Sequence, residues 1–571
     1  MFRKKILPIP LSVSVPLALS MLVLAACSGS NGHQATAATT SLSAQDALAT
    51  ATPIKHIVVI FGENRSFDHY FGTYPNATNP AGEPAFTAAA GTPSVVGLTT
   101  ALLTNSPTKA NTLNGVNARD SFRLDRSQAN TEGQTHSYTP EQLAYDNGAA
   151  DLFPLYTGNN TVTTTGAYGV AGLVMGYYDG NTVTGMWNYA QNFALNDNAY
   201  TDSYGPSTPG AVSVISGTNN GAVNVVGTSS PNTISDGAGG LTLVGDTDPA
   251  FDQCSSKTST IMMTSKNIGD LLNAQGITWG GFMGGFDLTT TNANGTTACA
   301  RSTYSSVLSS TSTDYSPHHA WFQYYATTRN PAHTRPTSTA LIGQTDPKDN
   351  SLTPVHHQYD VNDFYTAVNA GNFPSVAYIK APEVGDAHPG NSDPLDEQTF
   401  VTQLVNFIMQ QPDWKSTAII LTYDDSDGWF DHRYIAPTTS SFDSTTSMST
   451  QAGTVTGADQ LNGTGVCNAT GATPGVGVSG GQVNGRCGPG TRVPMLILSP
   501  YAKKNYVDDT LVTQASVVKF IEDNWLGGQR IGQGSDDASA GSLLNMFDFT
   551  QSVSSPRTLL LNTDGTPKSS T

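Results

Sequence analysis

Ile54-Lys55-His56-Ile57-Val58-Val59-Ile60-Phe61 runs without a break into Gly62-Glu63-Asn64-Arg65-Ser66. The first stretch is dense in β-branched residues and lacks polar alternation, so it reads as a short strand buried on both faces, as in a parallel sheet. The polar cluster then falls at its C-terminal end, where open α/β sheets bind their ligands. Similar runs recur at Ile277–Phe282, Ser375–Ile379, Ser416–Tyr423 and Val493–Ser499, and each reads as a central strand. Helical stretches precede several of them, at Asn267–Gln275 and at Asp396–Gln411, where Phe400, Leu404, Phe407 and Ile408 share one face. Ser516–Glu522 reads as a further helix. This alternation predicts an α/β fold: a central, mostly parallel sheet with helices on both faces.

Two Ser/Thr/Gly-rich segments, 284–313 and 437–490, show no sustained period and are expected to be long surface loop insertions. The folded body is expected over 53–550, closed by Leu543–Phe549, with 551–571 as a C-terminal tail.

The N-terminus carries an address. Arg3, Lys4 and Lys5 precede an apolar run, Ile6–Val23, that is broken by Pro8, Pro10 and Pro16 and ends in Leu24-Ala25-Ala26-Cys27. Residues 1–27 thus read as an export signal whose end resembles a lipobox, with Cys27 as the lipidated residue. The prolines argue against a retained span of about 20 apolar residues. Residues 28–52, rich in Ala, Thr, Ser and Gly, read as a flexible tether. The expectation is a lipoprotein of the bacterial envelope, partnered with the membrane through its lipid. Cys254, Cys299, Cys467 and Cys487 then remain in an oxidising compartment and are read as two disulfides. Pairing in sequence order, Cys254–Cys299 and Cys467–Cys487, is the reading adopted from three open connectivities. The formal net charge of −18 argues against a nucleic-acid partner. An acidic protein that handles phosphate must gather positive charge locally, and a bound metal ion is one way to do so.

Two acidic clusters follow predicted strands: Glu63-Asn64 after the first, and Asp424-Asp425 after Leu421-Thr422-Tyr423. Neighbouring carboxylates repel unless a cation offsets them, and an all-oxygen set suits a hard or borderline divalent ion. In Tyr204-Gly205-Pro206-Ser207-Thr208-Pro209-Gly210-Ala211, Gly and Pro on both sides fix a turn that can present Ser207 at a helix N-terminus, where free N–H groups attract anionic oxygen. Ser207 is the candidate nucleophile. Each element alone reads more readily as a cap or a turn; their conjunction carries the argument. His136, His318, His319 and His388 lie in polar loops, and imidazoles can bind phosphoryl oxygens or protonate a leaving alcohol.

Phe61-Gly62-Glu63-Asn64-Arg65-Ser66-Phe67-Asp68-His69-Tyr70-Phe71-Gly72-Thr73 resembles the signature of the bacterial phospholipase C and acid phosphatase A phosphoesterases. Three further blocks agree in family order: Gly205–Gly210, Leu421–His432 and Arg492–Tyr501. The resemblance implies an alkaline-phosphatase-like fold and one divalent metal ion held by Glu63, Asn64, Ser207, Asp424 and Asp425. It also implies a phosphate pocket lined by His136, His318, His319 and His388, with Ser207, Asn64, His319 and His388 in catalytic roles. Ser at the nucleophile position, the Asp-Asp pair and the lack of C-terminal β-domains resemble the acid phosphatase branch. The expected activity is hydrolysis of phosphomonoesters through a phosphoserine. A phospholipase C acting on lipid head groups is the nearest alternative, and a noncatalytic surface lipoprotein is the second. A sulfatase would need an arginine where Ala211 stands.

Overall fold

The protein is described from a computed structural model that covers residues 44–163, 165–461, 467 and 474–569. The export signal, Cys27 and most of the tether lie outside the described residues.

Strands β1 (His56–Gly62), β2 (Ala194–Asn196), β3 (Trp279–Met283), β4 (Gln358–Asp360), β5 (Val376–Lys380), β6 (Thr417–Tyr423), β7 (Met495–Leu498) and β8 (Tyr506–Asp508) form one sheet. Their order across it is β4-β3-β5-β1-β6-β7-β2-β8. The first apolar run is therefore the spine of the molecule: Ile57 lies beside Val376 of β5 and Ala418 of β6. The sheet is parallel except at β7, which runs antiparallel to both neighbours. Burial on both faces explains why β1, β5, β6 and β7 lack polar alternation.

Helices α1 (Tyr138–Ala144), α2 (Thr184–Asn192), α3 (Ser207–Ser216), α4 (Ile268–Gln275), α5 (Pro394–Met409) and α6 (Ala515–Trp525) supply the main helical elements. On one face of the sheet the Tyr378 hydroxyl of β5 donates to the Val214 carbonyl of α3, and α3 packs on α4 and α6. On the other, the Tyr423 hydroxyl of β6 donates to Glu397 of α5, which packs on α2. Both layers begin as local chemistry dictates. Asn267 and Asp270 form a reciprocal cap on α4, and Asp393 with Pro394 opens α5.

The surface-insertion reading of 437–490 needs correction. The segment forms a hairpin, Ser447–Thr450 with Gly453–Thr456, and buries Met448, Ala458, Leu461, Cys467 and Cys487 with Tyr138, Tyr145 and Tyr204 in a second core. Its apolar residues are spaced too widely to show a period, and they find partners on α1 instead of within the segment. Segment 284–313 also contains a hairpin, Ser302–Ser305 with Ser310–Thr313. A small antiparallel sheet of Thr233–Ser235, Leu241–Leu243, Asn220–Val226 and Thr260–Met263 was not legible as strands. The segment read as a tail is likewise part of the body: the Asn406 amide exchanges hydrogen bonds with the backbone of Leu561 at 2.7 and 2.9 Å. Both disulfides, Cys254–Cys299 and Cys467–Cys487, are present. No described helix is long and apolar enough to cross a membrane.

Candidate active site

Register places the acidic clusters together. Gly62, the last residue of β1, lies beside Tyr423, the last of β6, so Glu63-Asn64 and Asp424-Asp425 leave the sheet side by side. Asn64 adopts a left-handed backbone with φ 57°, a conformation Asn tolerates better than most residues. The turn is pinned by Asp424 Oδ1, which accepts from the N–H of Asn64 at 3.1 Å and of Asp425 at 2.8 Å.

Ser207 is the first residue of α3 and is 1% exposed. Its Oγ lies 2.9 Å from Glu63 Oε2, 3.1 Å from Asp425 Oδ2 and 3.4 Å from Asn64 Oδ1. One hydroxyl proton serves a single acceptor at a time, so the other carboxylate oxygens are left facing the serine without a proton to share. Gly210 makes the approach feasible, because a β-carbon there would overlap the Asp424 carbonyl.

Glu63, Asp424 and Asp425 are each about 1% exposed. Burial, then the Asp424 charge, pushes the carboxyls of Glu63 and Asp425 well above the usual range. Asp424 Oδ2 is buried with no hydrogen-bond partner, as are Asp386 Oδ2 and both ring nitrogens of His319. Crowded carboxylates with orphaned oxygens are costly unless a cation joins them. Glu63, Asn64, Asp424 and Asp425 thus fit a divalent ion by charge and by donor chemistry. Glu63, His319 and Asp386 also bring ligand atoms close enough to share an ion.

All four predicted histidines are near this floor, at different depths. His319 is buried, with Nδ1 3.3 Å from Glu63 Oε1 but not aligned for a hydrogen bond. Burial, with His318 and Lys380 adding positive charge, keeps it neutral by pulling its pKa well down. His136 and His388 are half-buried and meet edge-on at 6.0 Å. Burial pulls His136 down, but Asp425 and Asp427 outweigh it and raise its pKa well above the ordinary value; its Nδ1 is 3.2 Å from Asp427 Oδ1. His388 is lowered, chiefly by burial. Of the pair, His136 is the one whose protonated form the surrounding carboxylates favour. His318 sits farther out, bonded to Ser316 Oγ at 3.0 Å and edge-on to His319 at 4.1 Å.

Lys380 was missed. It ends β5, is 1% exposed, and its ammonium pairs with Glu63 Oε1. Burial opposes its charge, but Glu63, Asp424 and Asp386 outweigh that and raise its pKa. A lysine closing a fully apolar strand was the available signal. Asp386 was missed too, although it stands two residues before His388; its backbone carbonyl accepts the N–H of Glu63 at 2.8 Å.

Other motif residues hold the frame without reaching the pocket. Arg492 Nη2 donates to Asp68 Oδ1 at 2.9 Å, and its Nε lies 3.1 Å from both oxygens of Asp431. His432 pairs with the remaining Asp68 oxygen at 2.6 Å. Arg65 donates to the carbonyl of Ala387, the residue before His388.

Fold and site together define an α/β protein that seats a helix-N-terminal serine among buried carboxylates at the C-terminal ends of parallel strands. The chain belongs to the Phosphoesterase family, which it matches over residues 54–526. It is 25% identical to phospholipase C A of Mycobacterium tuberculosis over 480 residues, covering 82% of this chain and 72% of that protein. It is 26% identical to the non-hemolytic phospholipase C of Pseudomonas aeruginosa over 196 residues, 33% of this chain and 25% of that one. The match to the protein of the same name from Burkholderia pseudomallei, 31% identical, covers 27% of this chain and only 19% of the relative. Murine ectonucleotide pyrophosphatase/phosphodiesterase 5 aligns with a TM-score of 0.28 and 9% identity, over 64% of this chain and 95% of that one. A Vibrio parahaemolyticus protein of the alkaline phosphatase superfamily gives 0.25 and 10%, over 75% and 77%. The assignment rests on the family match, the sheet and the site, not on these two alignments.

Proposed function

We propose that the chain is a phosphoric-ester hydrolase acting chiefly on phosphomonoesters, as an acid phosphatase of broad specificity, through a phosphoserine at Ser207. The observation that carries this reading is the Ser207 hydroxyl facing Glu63, Asn64 and Asp425 within 3.4 Å. A divalent ion held by Glu63, Asn64, Asp424 and Asp425 would lower the pKa of that hydroxyl and neutralise a nonbridging phosphoryl oxygen. Ser207 Oγ forms the new bond to phosphorus as the ester's alcohol oxygen leaves, in line, on the opposite side. Asn64, with Oδ1 toward Ser207 and Nδ2 3.3 Å from His136, orients the serine on one side and the imidazole on the other. His136 and Lys380 supply fixed positive charge for the equatorial oxygens. His319, neutral at rest and 3.3 Å from Glu63, or His388 takes the Ser207 proton by way of Glu63, which already accepts that hydrogen bond, and returns it to the leaving alcohol; water then cleaves the Ser207–phosphorus bond.

The relatives' names favour a second reading, cleavage of a phospholipid at the glycerol side of its phosphate. Turnover of p-nitrophenyl phosphate against phosphatidylcholine separates the two: a phosphatase prefers the first by a wide margin. Acid-quenching the enzyme with a 32P-labelled ester should leave label on the peptide containing Ser207, and its absence under burst conditions would count against the phosphoserine. Export and lipid anchoring at Cys27 belong to this reading and rest on residues 1–27; Cys27→Ala should release the protein from the membrane fraction.

A further inference from the structure

Next to Thr208, the residue that follows Ser207, lies a solvent-open cavity of about 220 Å³ that the reaction above does not use, lined by Asn232, Asp246, Thr247, Asp248, Ser256, Ser259 and His318. It is far larger than the ~10–15 Å³ that a single water requires. Two connections tie it to the reacting centre. Thr208, the residue after the nucleophile, donates its N–H at 3.0 Å and its hydroxyl at 2.9 Å to Asp246 Oδ1. His318 packs edge-on against His319. Across the cavity, Asp248 Oδ2 accepts the Ser256 N–H at 2.6 Å, while its Oδ1 stands 4.0 Å from His318 Nδ1. Thr247 is 7% exposed, and its hydroxyl has no hydrogen-bond partner.

We infer that this cavity receives the alcohol portion of the substrate and selects a polyhydroxylated leaving group, of the monosaccharide phosphate type. The inference rests on Ser207 as the phosphoryl acceptor. The lining decides the class. Asp246 and Asp248 accept hydroxyl protons, while Ser256, Ser259 and Asn232 both donate and accept, which matches a ring of neighbouring hydroxyls. A quaternary ammonium is best held by aromatic faces, and the lining contains no Phe, Tyr or Trp. An acyl chain would need apolar walls, and these are polar. A primary amine would engage the carboxylates alone and leave the row of hydroxyls unused.

The test compares kcat/KM for glucose 6-phosphate, p-nitrophenyl phosphate and phosphoethanolamine in the full-length enzyme and in Asp248→Asn. Wild type should favour glucose 6-phosphate over phosphoethanolamine. Asp248→Asn should lower the glucose 6-phosphate value by about tenfold more than the p-nitrophenyl phosphate value, mainly through KM, because a hydrogen bond to a charged partner is lost. Should that variant fail to fold, Ser256→Ala carries the same comparison with a shift of about threefold. An equal loss for both esters overturns the subsite and leaves the phosphatase reading standing. Preference for phosphoethanolamine over glucose 6-phosphate overturns the polyol. Failure of wild type to cleave any of the esters removes the parent reading and this one with it.

Discussion

Gly210 of α3 lies so close to the Asp424 carbonyl that a β-carbon at residue 210 would overlap the oxygen. The helix that begins at Ser207 and the Asp424-Asp425 loop are therefore in backbone contact, and the distance from Ser207 to Asp425 depends on it. Gly210→Ala should force the two apart. An overpacked contact costs about 1–3 kcal/mol, and turnover should fall more than the melting temperature suggests. Wild-type kcat in a variant that folds would show that the contact does not set the serine's position.

Ser207→Ala removes the hydroxyl proposed to bond to phosphorus while leaving the carboxylate floor intact. Loss of a nucleophile should lower kcat by at least about a thousandfold, with thermal stability and metal content retained. Near wild-type hydrolysis of p-nitrophenyl phosphate by the purified variant would remove Ser207 from the mechanism.

Metal content offers a separate check. About one tightly held divalent ion per chain is expected, at Glu63, Asn64, Asp424 and Asp425, where Asp424 Oδ2 is buried without a hydrogen-bond partner. Dialysis against a chelator should abolish turnover, and adding back the ion should restore it. An ion present at 100 times its Kd stabilises the folded state by about 2.7 kcal/mol, so the apo-protein should melt several degrees lower. Full activity with no metal detected by elemental analysis would overturn the assignment.

Arg492 neutralises Asp68 and Asp431 in a wholly buried network. Arg492→Met leaves both carboxylates without that partner, and breaking a buried pair in this way costs about 3–5 kcal/mol. Equilibrium unfolding in urea measures it, and a loss below about 1 kcal/mol would place the network among weak surface pairs.

Glu397 gives stability a pH dependence. Burial, despite hydrogen bonds from Tyr423 and Tyr70, pushes its carboxyl from 4.5 up to about 7. Because the folded-state value is raised, its contribution is fully present below about pH 4.5 and is lost as pH rises through about 7, in all about 3 kcal/mol. Glu397→Gln removes this titration, so the fall in unfolding free energy between those pH values should become shallower. An unchanged slope would mean that other carboxyls dominate it.

The parts of this architecture that were legible in the sequence are those whose cause is local. The apolar runs at β1, β5 and β6 show what buries them, and Asn267 and Asp393 mark helix starts by their own hydrogen bonds. Glu63, Asn64, Asp424 and Asp425 were legible because they directly follow such runs. The antiparallel direction of β7 was not, since an apolar strand reads the same either way along a buried sheet. Nor was the second core, where Tyr138 meets Asp459 at 2.7 Å across more than 300 positions. Lys380 eluded the motif reading because its partner Glu63 is distant in sequence and a lone lysine after a strand carries no spacing pattern.

The central place of β1 also governs how the molecule is made. It is synthesised well before either neighbour: its partner in β5 comes roughly 320 positions later and that in β6 later still, so its pairing is long-range and slow to form. For most of synthesis this strongly apolar segment stays unpaired and aggregation-prone. The same delay keeps Glu63 and Asn64 apart from Asp424 and Asp425, so the buried acidic cluster around Ser207 cannot assemble before most of the polypeptide exists.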